Sequence, residues 1–425
     1  MTATRLAKGS TLFAVAAGWI VAGWFLWQTT VPGDLHLSGL DPHRYWSDAL
    51  LHRSARYDGL LRWDWVAATL AGIAALVVLV RLGPRLAAAW ELGRVGTGVM
   101  VGAVATLVVW AVSLPFGAVA PWWGRRYGLE KQSYVEWLLS QWPALLGQVV
   151  GLTIVLTVLM LLAGRFPRWW WLYAGVIFTC VAVVLSLVLP YFLTIGTRKP
   201  HHTKLAAQLR ALERKEGIGG TPIRIETVSD RTTEVNSEAV GIGPSSRVVL
   251  WDTILDGRFT PGEIRVIAAH EFGHVARRHI WKGLGWYALI EIPGFFVLAW
   301  LTARRGGMAR PEVVPFALLV IVVFHLAVTP FTNAVSRRYE GEADWRSLQA
   351  THDPASARKL FRAFARYDLV QPNPPGWSYV WIDDHPTLAQ RVAMANAWAA
   401  RRAGRNLARR RGAMAVPRQG RKEAQ

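Results

Sequence analysis

The chain has 425 residues, of which 52% are hydrophobic and only 18% charged, with 23 tryptophans; this balance excludes an ordinary soluble enzyme. A formal charge of +20 would suit nucleic acid, but much of the excess lies in short loops and in the segment from Arg401 onward, where nine basic residues face one acidic. On a membrane protein such a tail points to anionic lipid and the cytoplasmic side, with no nucleic-acid partner. The single cysteine, Cys180, excludes a disulfide framework and a thiolate metal site.

Along the chain, seven apolar segments reach or approach membrane-spanning length: about 10–29, 64–82, 98–120, 142–163, 169–195, 282–302 and 312–335. Aromatic and basic anchors flank them, among them Trp63 and Trp65, Trp122 and Trp123, and Arg168 followed by Trp169, Trp170 and Trp171. The first segment is read as a retained span rather than a cleaved signal peptide. Its apolar stretch is long, and Trp24, Trp27 and Gln28 stand where small residues would precede a cleavage site.

The expected organisation is a five-span membrane region (1–196), a polar region (197–281), a two-span hairpin (282–335), a second polar region (336–400) and a basic tail (401–425). An odd span count puts the termini on opposite sides and both polar regions on the same side. The basic tail makes that side the cytoplasm. Arg outnumbers Lys 40 to 8, a bias common in GC-rich bacteria, which suggests a bacterial plasma membrane.

Within 197–281, Lys204–Glu216 carries Leu205, Leu209 and Leu212 at helical spacing and stops at Gly217. Residues 223–228 alternate as a strand, and 247–252 read as another. A helix then opens at Thr260-Pro261-Gly262-Glu263, with an N-cap Thr, Pro at the first position and Glu three residues after the cap. It carries His270-Glu271-Phe272-Gly273-His274. Residues i and i+4 share a helical face, so His270 and His274 can direct two imidazoles at one metal ion. Glu271, one residue round, is placed to take a proton from a water that the metal activates.

A catalytic zinc needs a third protein ligand. The sixth and seventh spans form a hairpin that returns the chain to the same membrane face, so Glu340 in Arg337-Arg-Tyr-Glu-Gly-Glu-Ala-Asp344 is a candidate. Glu340 and Asp344 are i and i+4, a like-charge pair that a nearby cation would relieve. Spacing alone equally allows an ion pair between Glu340 and Arg337. If Glu340 is a ligand, Asp344 would accept the free ring N–H of a metal-binding histidine. Glu291 and His325 fall inside the sixth and seventh spans, where ionisable groups face protein or water, pair with each other, or lie near an interface.

Together these motifs resemble the gluzincin family of integral-membrane zinc metalloendopeptidases that includes type I CaaX prenyl proteases and bacterial heat-shock membrane proteases. The family pattern of His-Glu-x-x-His, then Glu-x-x-x-Asp after a transmembrane hairpin, is met by His270, Glu271, His274, Glu340, Ala343 and Asp344. The family's substrate-pairing strand, Asn-Ala-aromatic-x-x-Gly, corresponds to Asn236-Ser-Glu-Ala-Val-Gly241, with Ser237 and Glu238 in place of the Ala-aromatic pair. Its His-Pro-x-x-x-x-Arg motif corresponds to His385-Pro386 and Arg391. The resemblance covers roughly 200–395 by motif, and seven spans are closer to the CaaX-protease branch.

It implies a mostly α, polytopic seven-span protein with a small α+β zinc-metalloprotease domain on one membrane face. It further implies one Zn2+ per chain held by His270, His274 and Glu340, with Glu271 as general base, His385 and Arg391 as oxyanion donors, and Asn236 and Gly241 as substrate-binding residues. The expected activity is endopeptidase cleavage of membrane-associated proteins or peptides. The alternative readings are a protease-like sensor that signals by self-cleavage, which usually carries a dedicated extracytoplasmic domain, and a transporter, which would scatter charges through its spans. Substrate identity and oligomeric state are not set by the sequence.

Overall fold

The computed structural model describes residues 2–35, 37, 39–200 and 204–414, with side chains from residue 13 to residue 406 of these. The side chains of the basic tail beyond residue 406, and with them the expected lipid contact, therefore lie outside the described residues.

The membrane part comprises α1 (Thr2–Trp27), α2 (Asp48–Ala88), α3 (Gly93–Gly117), the short α4 (Val119–Tyr127), α5 (Tyr134–Arg165) and α6 (Trp170–Leu193). After α7 (Lys204–Lys215) come the strands β1 (Ile223–Glu226), β2 (Ser237–Val240) and β3 (Arg247–Trp251), then α8 (Pro261–Ala276). The hairpin is α9 (His279–Ala303) and α10 (Val314–Thr351), and the chain ends in α11 (Pro354–Tyr367), α12 (Gly376–Trp381) and α13 (Leu388–Met414).

Among the described residues, six stretches are long and apolar enough to cross a membrane: α2, α3 running into α4, α5, α6, α9 and α10. A shorter apolar stretch, Phe13–Trp27 in α1, holds the first expected span. The connections alternate between two ends. Gly83 of α2 lies against the backbone of Glu312, and Arg94 approaches Gly164. At the opposite end, Lys131 donates to the Arg231 carbonyl at 2.8 Å, and Thr30 reaches Glu342. This alternation agrees with seven crossings.

Two helices outrun their apolar segments. α2 starts at Asp48 on an N-cap Ser47, whose hydroxyl accepts from the Leu50 N–H, so part of the expected loop 30–63 is helix. α10 continues without a break from the membrane through Glu340 to Thr351, where His352 ends it in a left-handed conformation with φ 54°.

The cap forms a three-stranded sheet in the order β1-β3-β2, with β1 parallel and β2 antiparallel to β3. β3 is central and nearly all buried, whereas β2 has one edge without a strand partner among the described residues. The cap's core joins Leu209 of α7, Val248 and Leu250 of β3, Phe272 of α8, Trp345 of α10, Phe361 of α11 and Val392 of α13. Trp46, ahead of α2, is buried in the same core, so the first polar loop braces the cap. A second core fills the bundle around Val101, Leu156, Met160 and Val314. Arg247 links cap and bundle, bonding the Pro190 carbonyl and Thr194 Oγ1 at the end of α6.

Candidate metal centre

α8 starts on the expected capping box: the Thr260 N–H donates to Glu263 Oε2 at 2.8 Å, and the Glu263 N–H donates to Thr260 Oγ1 at 3.4 Å. Val266, Ile267, Ala268 and Phe272 are buried in the cap core, which turns the His270–His274 face toward α10. The two helices pack unusually close at Gly273. A Cβ built there would lie 3.2 Å from Ala343 Cα, so a glycine opposite an alanine sets the distance between the ligand helices.

Across this contact His270, His274 and Glu340 converge. His270 Nε2 is 3.1 Å from His274 Nε2 and 3.0 Å from Glu340 Oε2, and His274 Nε2 is 3.3 Å from Glu340 Oε1. These separations are near the edge of roughly 3.4 Å that bonds of about 2.0–2.1 Å give a tetrahedral zinc site. Arg337, the alternative partner for Glu340, instead donates to the carbonyls of Tyr379 and Asp383.

The proton count also fits a metal. Asp344 accepts two bonds from Arg391, Nε to Oδ2 at 2.8 Å and Nη2 to Oδ1 at 2.7 Å. It is thus an acceptor toward His270 Nδ1, 2.9 Å away, and the His270 proton lies on that side. His270 Nε2 then faces Glu340 Oε2 as one lone pair against another, and Oε2 is buried without a hydrogen-bond donor. A cation satisfies both. Burial opposes a charge on His270, while the carboxylates of Asp344 and Glu340 favour one and, with no metal bound, raise its pKa to about 10; the pocket as a whole favours positive charge, whether a proton or a metal ion supplies it.

Glu271, buried beside the ligands, accepts a 2.7 Å hydrogen bond from the hydroxyl of Ser237, the first residue of β2. Both line a cavity of about 340 Å³ with Asn236, His385 and Arg391. His385 Nε2 is 3.3 Å from Glu340 Oε2, and its Nδ1 is 2.7 Å from Asp384. Burial disfavours the imidazolium, while Asp384 and Glu340 raise its pKa. His385 and Pro386 precede the helix that carries Arg391. α13 begins at Leu388, and Thr387 caps it by exchanging bonds with Gln390; Thr387-Leu-Ala-Gln390 is itself a capping box that the sequence displays.

Among the expected substrate residues, Asn236 lines the cavity and Gly241 does not. Gly241 has φ 83°, and a Cβ there would meet the Ser245 carbonyl oxygen at 2.3 Å, which accounts for the glycine by backbone geometry. The intramembrane pair is made: His325 Nε2 lies 2.9 Å from Glu291 Oε1. Sequence reasoning missed Ser237 as a partner of Glu271, and it missed His279 and Glu342 behind His274.

A helical membrane bundle whose cap brings two histidines and a glutamate together beside a second, buried glutamate has the make-up of an integral-membrane zinc metallopeptidase. The family model of Peptidase family M48 matches residues 201–399. The chain is 28% identical over 302 residues to an uncharacterized metalloprotease, YhfN, of Bacillus subtilis, covering 68% of this chain and 71% of that protein. It is 23% identical over 321 residues to a CAAX prenyl protease 1 homolog of Taenia solium, covering 64% and 66%. The crystal structure of S. mikatae Ste24p has the same fold, with a TM-score of 0.69 at 17% identity over 89% of this chain and 96% of that one.

Proposed function

We propose that this metallopeptidase is an endopeptidase that cuts membrane-associated proteins or peptides, using one zinc ion per chain held by His270, His274 and Glu340. The observation that carries this reading is the convergence of those three side chains next to Glu271, at an open sheet edge, where His270, Glu271 and Ser237 line one cavity. When bound, zinc supplies Lewis-acid activation of water and of the scissile carbonyl.

The protein's own groups do the rest. A substrate in extended form adds to the free edge of β2, beginning at Asn236, and backbone pairing holds it there independently of its side chains. Glu271, oriented by Ser237, takes the proton from the attacking water and returns it to the leaving amine. His385, whose pKa Asp384 and Glu340 raise against the effect of burial, donates to the oxyanion as it develops. Arg391 has Nε and Nη2 bonded to Asp344, so we assign it first the task of fixing Asp344 and, through it, the His270 ring. The cap is assigned to the cytoplasmic face.

The test has two parts. Metal analysis of purified protein should find about one zinc per wild-type chain, none in His270→Ala, His274→Ala or Glu340→Ala, and full occupancy in an inactive Glu271→Gln. Full zinc in Glu340→Ala would remove it as a ligand. Comparing membranes that contain wild type or Glu271→Gln should show proteins cut only by the former; identical patterns would count against an endopeptidase of membrane-associated substrates.

A further inference from the structure

Behind the metal ligands lies a set of polar side chains that the proposed reaction does not use. α8 ends at Ala276, Arg278 adopts a left-handed conformation with φ 55°, and α9 begins at His279. On an unbroken helix, a residue five positions after His274 would point about 140° away from it. The turn instead folds the ring back, so that His279 Nδ1 lies 3.0 Å from His274 Nδ1. A non-glycine residue in this backbone region is strained and persists where its surroundings enforce it.

The second ring nitrogen of His279, Nε2, is 2.9 Å from Glu342 Oε2. Glu342 is fully buried. Its Oε1 accepts from the Thr30 N–H at 2.7 Å, the Thr30 hydroxyl at 2.8 Å and Arg277 Nε at 2.8 Å, and Lys282 Nζ lies 3.4 Å from Oε2. All these neighbours are donors, so the carboxylate accepts and the shared proton belongs to His279 Nε2. His279 Nδ1 is then an acceptor, and the proton between the rings belongs to His274 Nδ1. That leaves the His274 Nε2 lone pair facing His270 and Glu340.

We propose that His279 and Glu342 are positioning residues that fix the tautomer and ring angle of the metal ligand His274, as Asp344 does for His270. The end of α1 holds them in place. Tyr339 stacks on His279 with centroids 4.7 Å apart and planes 8° from parallel. Its hydroxyl donates to the Leu26 carbonyl at 2.6 Å and accepts from Trp286 Nε1 at 2.9 Å, while Lys282 donates to the Gln28 carbonyl at 3.0 Å. The first span and the residues up to Thr30 thus form part of the metal site's support. The inference rests on His270, His274 and Glu340 being the metal ligands.

The test is the zinc affinity of purified full-length protein in detergent, measured by competition with a chromophoric chelator, with Co2+ absorption as a second readout of ligand geometry. His279→Phe keeps a ring against Tyr339 but offers His274 no acceptor. It should bind zinc ten- to a hundredfold more weakly and give an altered Co2+ spectrum. His279→Gln, whose amide can accept from His274 and donate to Glu342, should recover most of the loss. Glu342→Gln keeps the size but turns an NH2 group toward either His279 or the Thr30 and Arg277 donors, and should weaken zinc several-fold; it reads the relay even if His279→Phe does not fold. Wild-type zinc affinity in His279→Phe, or in Glu342→Gln, overturns the proposal, as does a His279→Gln variant no better than His279→Phe. A wild-type protein that binds no zinc refutes the metal-site reading itself, which keeps the two failures apart.

Discussion

His385 and Arg391 come from one sequence motif, yet their surroundings differ. His385 is half exposed in the cavity and bonded to Asp384, whereas Arg391 is buried, bidentate on Asp344 and stacked over Phe361 at 4.3 Å. His385→Ala should therefore keep its zinc and lose on the order of a hundredfold in kcat, because an oxyanion donor acts on charge present only in the transition state. Arg391→Ala should behave otherwise. It strands a buried carboxylate, at a cost of about 3–5 kcal/mol, and it loosens zinc as well. Zinc content and melting temperature, measured beside turnover, separate the two; a stable Arg391→Ala protein with full zinc would show that its bond to Asp344 is dispensable. Asp368, at the cavity wall, makes a pH prediction. Burial pushes its carboxyl up from 3.8 to about 8, with Glu234 adding to the rise and the Val235 N–H bond opposing it. The folded protein thus holds this proton longer than the unfolded chain, and stability falls as pH climbs from about 4 to about 8. Asp368→Asn, whose side-chain oxygen can still accept from Val235, removes that dependence. Its melting temperature should gain on wild type as pH rises from 5 to 8 and then stay level above that; parallel curves would show that Asp368 ionises normally.

At the scale of elements, the proposed metal centre depends on the contact between α8 and α10. Neither helix can make the site alone, and the closest approach is at Gly273, where a Cβ would also meet Arg346 Cβ at 3.3 Å. Gly273→Val adds three carbons where there is no room, so the helices must separate or the backbone must shift. Overpacking of this kind costs about 1–3 kcal/mol. The predicted variant folds less stably and holds zinc weakly although every ligand is present. Tight zinc binding by Gly273→Val would show that the helix spacing is not what gathers the ligands. The same contact explains why a small residue stands at Ala343, directly before Asp344.

For the whole molecule, the alternating connections set sidedness. The segments around Thr30, Lys131 and Arg231 meet the cap, while Gly83, Gly164 and Glu312 lie at the other end of the bundle. Reporter fusions at residue 1 and after residue 425 should therefore fall on opposite sides of the membrane, with the C-terminal fusion cytoplasmic. Fusions on one side would mean that a helix fails to cross. Intact cells would show the same asymmetry as proteolysis or labelling of the cap from one side only.

The sequence by itself determined what repeats locally or is written in consecutive residues. Apolar runs of spanning length marked the bundle, since lipid requires them whatever the packing. The capping box at Thr260 and the i, i+4 spacing placed His270, Glu271 and His274 on one helix. Family motifs singled out Glu340, Asp344, His385 and Arg391. Tertiary structure decided what depends on chain segments meeting. It settled whether Glu340 faces the histidines or Arg337, because that turns on how α10 is rotated against α8. It gave Ser237 to Glu271, a bond between an edge strand and a helix that no spacing encodes. It also brought His279 to His274 through one left-handed residue, Arg278, where helical periodicity would have pointed the ring away. The sequence carries the chemical groups and their local geometry, but hydrogen-bond partners far apart along the chain are chosen only when packing fixes the distance between them.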